Sequence, residues 1–149
     1  MSTFDLRLET RKEELKTLFT SLYGSDEKLG SLILSMREYY DRRSDELKSL
    51  DKEREDNPLW YRQGDMLGLT MYSDLFASSL KGLKGKVGYL KKLSLKYLHL
   101  MPLMKMPEKD NDGGYAVEDF YSVDPRFGTN EDQEPLTKEP RKHDISLCL

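Results

Sequence analysis

The chain has 149 residues, with 24 lysines and arginines against 27 aspartates and glutamates and a formal net charge of −3. This length suits one compact domain, alone or with a helical attachment, and excludes a complete (β/α)8 barrel, which needs roughly 250 residues. No apolar run approaches the roughly 18 residues of a membrane span, no secretory signal opens the sequence, and a single cysteine excludes an internal disulfide. We therefore expect a cytoplasmic protein with no membrane partner.

Acidic residues are concentrated in the second half of the chain. Residues 108–134 hold nine acidic and two basic side chains, whereas acids and bases alternate along the helical stretches elsewhere. A nucleic-acid groove needs a basic stripe, usually with aromatic side chains between the charges. The sequence contains no such stripe, so we expect no nucleic-acid partner.

The first sixty residues predict a helical domain. Apolar side chains recur at helical spacing in a first run, at Phe4, Leu8, Leu15, Leu18, Phe19 and Leu22. Gly24 is expected at the C′ position that ends this helix, and Ser25 or Asp26 is expected to cap the next one. A second run starts at Leu29 and stops at Asn57, because the residue before a proline avoids the helical region.

Two interpretations of the apolar stripe on the second helical run remain open. Packing between two helices is the simpler one, because each stripe occupies one helical face. A partner-binding surface, on the face from Leu29 to Tyr40, is the alternative. A partner that docks on this face of a stable, monodisperse chain would favour the alternative.

After residue 60 the spacing changes from purely helical to an alternation of strands and helices. The predicted elements are a strand at 66–72, a helix at 80–93, a strand at 95–100, a loop at 105–127, a helix at 128–143 and a strand at 145–149. This order is typical of a parallel α/β sheet with right-handed crossovers, whose ligand-binding groups lie on loops after the carboxyl ends of the strands. The helical propensity of the stretch at 80–93 is lowered by three glycines, Gly82, Gly85 and Gly88. The helix predicted at 128–143 is opposed by Pro140, which removes a helical hydrogen bond.

The last predicted strand leaves the sheet with an open edge. An uncovered edge favours pairing with a strand from another chain. We therefore expect self-association through this edge, and we expect the chain to be the N-terminal fragment of a longer protein. The predicted domains are a helical one at 1–60 and the start of a strand-and-helix domain at 61–149.

Three segments of the second half share ordered motifs with one enzyme family. They are Tyr97–Leu103, Asn111–Val117 and Val123–Thr129. The pattern Gly-Tyr-x-x-x-Asp-aromatic, followed by Asp-Pro-x-Phe-Gly-Thr, resembles the α-amylase family of glycoside hydrolases after its second barrel strand. The version Asp-Gly-Gly-Tyr-Ala-Val at 112–117, with the run at 54–61, resembles the amylosucrases within that family.

The resemblance implies a fold and a parent chemistry. The fold is α/β, a helical N-terminal region followed by an incomplete (β/α)8 TIM barrel that comprises the first three strands. The parent enzyme would transfer the glucosyl unit of sucrose, with retention, to an α-glucan or to water. Retention requires two carboxyl groups about 5–5.5 Å apart, one as nucleophile and one as acid/base. In the family these groups follow later strands, so the resemblance implies no catalytic residue in this chain, and we expect the chain alone to be inactive.

The resemblance assigns two substrate-binding residues, Asp112 and Tyr115. Asp112 matches the family aspartate that helps to close the glucosyl subsite through a charge pair with an arginine. Tyr115 matches the aromatic residue that stacks on the glucosyl ring. From the residues alone, the alternative is a simple Asp-Gly-Gly turn with Tyr115 as a packed anchor, because these residue types favour turns.

Other polar residues of the second half are expected to be structural. Asp119 is expected to support the fold, Thr129 to cap a helix, and Cys148 to lie inert in the core. His99 lies at a strand end near the expected pocket, where we expect a core or rim residue rather than a functional one.

No cofactor is expected. The sequence contains neither a His/Cys cluster with metal-ligand spacing nor a phosphate-binding glycine loop. Two rival hypotheses about function remain, a small helical interaction module and one half of a split enzyme whose remaining strands come from a second chain. Co-expression with such a second chain would test the split enzyme.

Overall fold

The computed structural model describes residues 3–149 of the chain. The chain divides into two compact units, residues 1–60 and residues 61–149. The first unit contains helices, and the second combines helices with strands. None of the helices within residues 3–149 combines the length and the apolar character that a membrane span requires.

Three helices form the first unit. They are α1 (Thr3–Tyr23), α2 (Leu29–Arg42) and α3 (Asp45–Asp56). The predicted end of α1 is confirmed, because Gly24 has a left-handed φ of +76° and donates its N–H to the Thr20 carbonyl at 2.8 Å. Glycine adopts this conformation without the steric cost that a Cβ adds.

The charged run after Leu29 forms two helices, so the prediction of one continuous helix to Asn57 is wrong. Arg43 is extended, with φ −66° and ψ 129°. The Ser44 side chain caps α3 by accepting a hydrogen bond from the Leu47 N–H at 3.4 Å. Two acidic residues in the first turn of α3 favour this restart, because a helix N-terminus carries partial positive charge.

The predicted cap of α2 is wrong as well. Lys28, rather than Ser25 or Asp26, occupies the N-cap position, and it makes no side-chain capping hydrogen bond. The Asp26 carboxylate instead lies 2.9 Å from the Lys16 ammonium of α1. The carboxylate is therefore engaged by α1 and does not reach the start of α2.

The helical unit buries few apolar side chains. Within residues 3–60, Phe4 and Leu29 are the buried apolar residues. Ion pairs add contacts between helices, as between Arg7 of α1 and Glu55 of α3 at 2.6 Å, with both side chains partly exposed. Exposed ion pairs stabilise little, because water and salt screen them. The apolar core of this unit is therefore small.

The second unit contains a parallel sheet with helical crossovers. Its elements are β1 (Gly68–Met71), α4 (Ser73–Ala77), α5 (Leu80–Lys92), β2 (Tyr97–Leu100), β3 (Met104–Lys105), β4 (Asp119–Val123), α6 (Asn130–Arg141) and β5 (Ser146–Cys148). Strands β1, β2 and β5 pair in that order and are parallel, with Thr70, His99 and Cys148 in register. The predicted fold class is confirmed, and the arrangement corresponds to the beginning of a (β/α)8 barrel.

One apolar cluster holds the second unit together. It combines side chains from the sheet, the crossover helices and the loops: Met71, Leu80, Leu83, Leu90, Leu95, Leu98, Leu100, Leu103, Met106, Val123, Phe127, Leu136 and Ile145. In β2, Leu98 and Leu100 are buried, whereas Tyr97 and His99 are half-buried. This alternation follows from the strand geometry, which turns successive side chains to opposite faces of the sheet.

Both long crossover helices end in the same way. Ser94 after α5 and Asp144 after α6 each have a left-handed φ of +58°. The next residues, Leu95 and Ile145, donate their N–H groups back to the last turn of the helix and bury their side chains. This is the Schellman arrangement, in which the helix end and an apolar contact are formed together. It places the starts of β2 and β5 against the core.

Helix α6 continues through both of its prolines. Pro135 and Pro140 lie inside the helix, and Pro140 is buried. Each proline lacks the N–H that a helical hydrogen bond requires. The Pro140 carbonyl accepts hydrogen bonds from the N–H groups of His143 at 2.9 Å and Ile145 at 3.1 Å. The proline that opposes the helix in the sequence therefore lies in its last turn, where it takes part in ending the helix.

The stretch at 105–127, predicted as a loop, contains secondary structure, so that prediction is wrong in part. Strands β3 and β4 pair antiparallel, Met104 with Val123 and Lys105 with Asp119. A turn of 3-10 helix lies between them at Asp112–Gly114. A strand of two residues is too short to show an alternating pattern in the sequence.

Candidate functional site

The carboxyl ends of β1 and β2 lie side by side. The Met101 N–H donates to the Met71 carbonyl at 2.9 Å, at the point where both strands end. In barrels and doubly wound sheets this edge carries the ligand-binding loops. The loop after β2 is therefore the candidate position of a ligand-binding site.

This loop contains a tight turn with left-handed backbone at three consecutive residues. The angle φ is +48° at Asp112, +67° at Gly113 and +99° at Gly114. The Asn111 carbonyl accepts a hydrogen bond from the Gly114 N–H at 2.8 Å. Glycine adopts positive φ with the least strain, which explains why two glycines follow the aspartate.

Gly114 lets the turn lie directly against the end of β2. The residue is buried. A Cβ at this position would lie 3.0 Å from the Pro102 Cβ and 3.1 Å from the Met106 Cε. Pro102 follows the last residue of β2 by two positions. The missing side chain therefore brings the turn to the carboxyl edge of the sheet.

The turn places Asp112 and Tyr115 next to solvent. Asp112 is exposed, and within residues 3–149 its carboxylate has no hydrogen-bond or ion-pair partner. Tyr115 is 59% exposed, and its hydroxyl lies 3.9 Å from the Met101 sulfur. Such a carboxylate can accept hydrogen bonds from ligand hydroxyls, and an exposed aromatic ring can stack on the C–H face of a sugar.

Asp124, which sequence reasoning did not single out, anchors this loop. It is buried, and its Oδ1 accepts hydrogen bonds from the Arg126 N–H at 3.0 Å and the Arg126 Nε at 2.9 Å. Its Oδ2 accepts a hydrogen bond from the Met106 N–H at 3.3 Å. Burial raises the pKa of Asp124, but the hydrogen bonds from Arg126 and Met106 outweigh it and hold the pKa below its ordinary value. The Asp-Pro pair after an apolar run was the signal for this turn.

Asp119 and Thr129 have the structural roles that the sequence predicts. The Asp119 carboxylate accepts hydrogen bonds from the Ser122 hydroxyl at 2.6 Å and the Tyr121 N–H at 2.8 Å, and these bonds lower the pKa of Asp119. Thr129 and Asp132 form a reciprocal capping box at the start of α6. Both residues stabilise the segment that follows the candidate turn.

His99 and Cys148 lie on the face of the sheet away from the apolar cluster. They are paired in register between β2 and β5, and both are half-buried. A hydrogen bond with Cys148 and the loss of solvent raise the pKa of Tyr97. The prediction that Cys148 lies in the core is wrong, because β5 directs Leu147 rather than Cys148 toward the cluster.

Other parts of the described chain contain no comparable group of unpaired polar side chains at a strand end. The helical unit has an open groove whose lining includes Arg7, Asp45, Lys48 and Lys52. Arg7 and Lys52 each pair with a carboxylate of α3, and Lys48 shares the lining with Asp45. The charges of this groove are therefore balanced. Residues 3–149 contain no group of three or more His, Cys, Asp or Glu side chains that could hold a metal ion.

Comparison with known families identifies the class of protein. The profile described as alpha amylase, catalytic domain, matches residues 36–149, which is more than half of the chain. The chain belongs to the α-amylase family. The match begins within α2, so it includes part of the helical unit and all of the second unit.

The curated relatives of this chain are enzymes with different activities within this family. The trehalose-6-phosphate hydrolase of Bacillus subtilis (strain 168) is 40% identical over 70 residues, which cover 47% of this chain and 12% of that protein. The α-glucosidase of Schizosaccharomyces pombe is 33% identical over 99 residues, which cover 62% of this chain and 16% of that protein. The chain thus spans a minor part of the length of these relatives.

Solved structures of related enzymes also match this chain over a small part of their length. The Bacillus licheniformis trehalose-6-phosphate hydrolase matches with a TM-score of 0.51 and 26% identity, over 59% of this chain and 16% of that one. A MutB variant in complex with the substrate sucrose matches with a TM-score of 0.50 and 28% identity, over 60% of this chain and 16% of that one. The fold, with its partial parallel sheet, matches the N-terminal part of such enzymes.

Proposed function

We propose that Asp112 and Tyr115 form one wall of a pocket for the glucosyl unit of an α-glucoside, in an enzyme of which this chain supplies the first strands. The observation that carries the proposal is the turn after β2, which brings both side chains to the carboxyl edge of the parallel sheet. Barrel enzymes bind their substrates at this edge.

The chemistry of the two side chains supports this proposal. A carboxylate without a protein partner accepts hydrogen bonds from two sugar hydroxyls, and an exposed phenol ring covers the apolar face of a pyranose. The backbone of the turn is held by Asn111 and by the contact of Gly114 with Pro102. The wall is thus in place before the ligand binds, which lowers the entropic cost of binding.

Sucrose is the donor that we propose for the whole enzyme, with transfer of the glucosyl unit as in the amylosucrases. The resemblance of residues 112–117 to that group supports this choice. The similarity to hydrolases such as the trehalose-6-phosphate hydrolase and the α-glucosidase supports a second candidate, hydrolysis of a short α-glucoside. Incubation of the whole enzyme with sucrose and with maltose, followed by analysis of α-glucan and free glucose among the products, separates the two.

The chain alone is proposed to bind sugar without cleaving it. A general acid needs a raised pKa, whereas the pKa of Asp124, the buried acid nearest the candidate turn in sequence, is lowered. Its two carboxylate oxygens are already hydrogen-bonded to Arg126 and Met106. The family resemblance implies that the nucleophile and the acid/base follow later strands, so we assign the acids that break the bond to those strands.

Binding is tested by NMR titration of the ¹⁵N-labelled chain with methyl α-D-glucopyranoside and with sucrose. We expect shifts at the amides of Asp112, Gly113 and Tyr115, with affinity weakened about ten-fold by Asp112→Asn and by Tyr115→Ala. Asp110→Asn, at an exposed aspartate in the same loop, is the matched control and should bind as the unaltered chain does. Unchanged affinity in Asp112→Asn and Tyr115→Ala would contradict the proposal.

A glucose-release assay with sucrose tests the lack of cleavage. We expect no release above a no-protein control. Release that Asp112→Ala abolishes would mean that this chain contains its own pair of acids, and the assignment to later strands would be wrong.

A further inference from the structure

Tyr72 links β1 to the candidate turn. It directly follows β1, and its carbonyl accepts the Phe76 N–H at 3.1 Å as α4 begins. The backbone of Tyr72 is therefore held by the sheet on one side and by a helix on the other. Its side chain, 38% exposed, is available at the carboxyl edge of the sheet.

The Tyr72 hydroxyl reaches the middle of the turn. It lies 3.8 Å from the position that a Cβ on Gly113 would occupy. Gly113 directly follows Asp112 and precedes Tyr115 by two residues. A phenol from the end of β1 thus lies beside the turn that carries the two proposed sugar-binding residues.

This hydroxyl has unused hydrogen-bonding capacity. Within residues 3–149 it has no hydrogen-bond partner, and the same holds for the neighbouring Asp112 carboxylate. A tyrosine that served only to pack against the turn would need its ring and not its oxygen. An unpaired donor and an unpaired acceptor beside an exposed ring are what a polyhydroxylated ligand uses.

We infer that Tyr72 is a third sugar-binding residue, whose hydroxyl hydrogen-bonds one hydroxyl of the glucosyl unit stacked on Tyr115. The inference rests on the proposed function of Asp112 and Tyr115 and adds a contact from a different strand. The pocket wall is then built from two consecutive strands of the sheet, so its shape depends on their pairing as well as on the turn.

The test removes a single oxygen atom. Tyr72→Phe is expected to weaken binding of methyl α-D-glucopyranoside roughly three- to ten-fold, the value of one hydrogen bond. The midpoint of thermal unfolding should not change, because the oxygen has no partner within the described chain. Tyr89→Phe, at a tyrosine of α5 that is 52% exposed, is the matched control and should leave both quantities unchanged.

Monodeoxy analogues of the glucoside identify the partner hydroxyl. For one analogue, the unaltered chain and Tyr72→Phe should bind equally, because the hydrogen bond is already absent. For the other analogues, the three- to ten-fold difference should persist. A uniform difference across all analogues, or none with the parent glucoside, would overturn the inference.

The outcomes separate this inference from the proposed function. If Asp112→Asn and Tyr115→Ala weaken binding but Tyr72→Phe does not, the inference fails alone. If the unaltered chain binds neither methyl α-D-glucopyranoside nor sucrose, the proposed function fails and the inference fails with it.

Discussion

At the residue scale, the buried hydroxyl of Ser73 destabilises the fold, because it makes no hydrogen bond within the described chain. Ser73 begins α4 and is 1% exposed, and its Oγ has no hydrogen-bond partner within the described chain. A buried, unpaired hydroxyl costs free energy, because it has lost its bonds to water. We expect Ser73→Ala to raise the free energy of unfolding by about 1 kcal/mol, measured by urea denaturation.

The control for Ser73 is the same substitution six residues later. The Ser79 side chain caps α5 by accepting a hydrogen bond from the Gly82 N–H at 3.1 Å. Ser79→Ala should lower the free energy of unfolding by about 1 kcal/mol. Changes of the same sign in both variants would contradict this account.

Asp124 makes the stability of the second unit depend on pH. Its pKa in the folded chain lies below the ordinary value of 3.8, so the ionised form stabilises the fold. This contribution is complete above about pH 5, where an unfolded aspartate is also ionised, and is lost as the pH falls through the lowered pKa. We expect Asp124→Asn to cost roughly 1–3 kcal/mol at pH 7, and this cost should shrink toward pH 2.

Urea denaturation of both proteins between pH 2 and pH 7 measures this difference. The exposed Asp110 serves as control, and Asp110→Asn should change the free energy of unfolding at pH 7 by less than about 0.5 kcal/mol. A cost for Asp124→Asn that grows as the pH falls would have the wrong sign for a lowered pKa.

At the element scale, the three glycines of α5 differ although their sequence context looks alike. A Cβ on Gly82 would lie 2.0 Å from the Ala77 carbonyl oxygen, whereas one on Gly85 or Gly88 would meet no atom within 4 Å. Gly82 therefore allows α4 and α5 to approach each other. We expect Gly82→Ala to cost roughly 1–3 kcal/mol, because backbone must move.

Gly85→Ala and Gly88→Ala are the matched variants. Each should raise the free energy of unfolding by up to about 1 kcal/mol, because alanine favours the helix and the space is open. Thermal unfolding of the three single variants measures their relative stabilities, and Gly82→Ala should be the least stable. Destabilisation by all three would indicate that the helix tolerates no added side chain.

At the scale of the whole molecule, the two units have unequal cores. The helical unit buries Phe4 and Leu29 within residues 3–60, whereas the second unit buries an apolar cluster drawn from sheet, helices and loops. Local stability follows buried apolar contact. We expect amides of α1, α2 and α3 to exchange with deuterium at least about ten times faster, relative to their intrinsic rates, than amides of α5 and β2.

Hydrogen exchange followed by NMR or mass spectrometry measures this difference. Equal protection in the two units would contradict it, and would mean that ion pairs such as Arg7–Glu55 stabilise the helical unit more than their exposure suggests.

The periodic elements of this chain could be predicted from sequence, and the short or paired ones could not. Helix α5 and strand β2 follow apolar spacing, and Gly24 and Thr129 have the residue types that end or start helices. Strand β3 has two residues and pairs with residues 14 to 19 positions later, so no local pattern marks it. The break at Ser44 was missed because its charged surroundings continue on both sides.

The sequence by itself determined the order of strands and helices, the family motifs around Asp112 and Tyr115, and the glycines that their turn requires. Only the tertiary structure decided that Asp124 is buried and accepts the Met106 N–H, and that the Tyr72 hydroxyl lies near Gly113. The physical reason is distance along the chain. Spacing in a sequence reports contacts within one element, whereas these contacts join separate elements that only the packed sheet brings together.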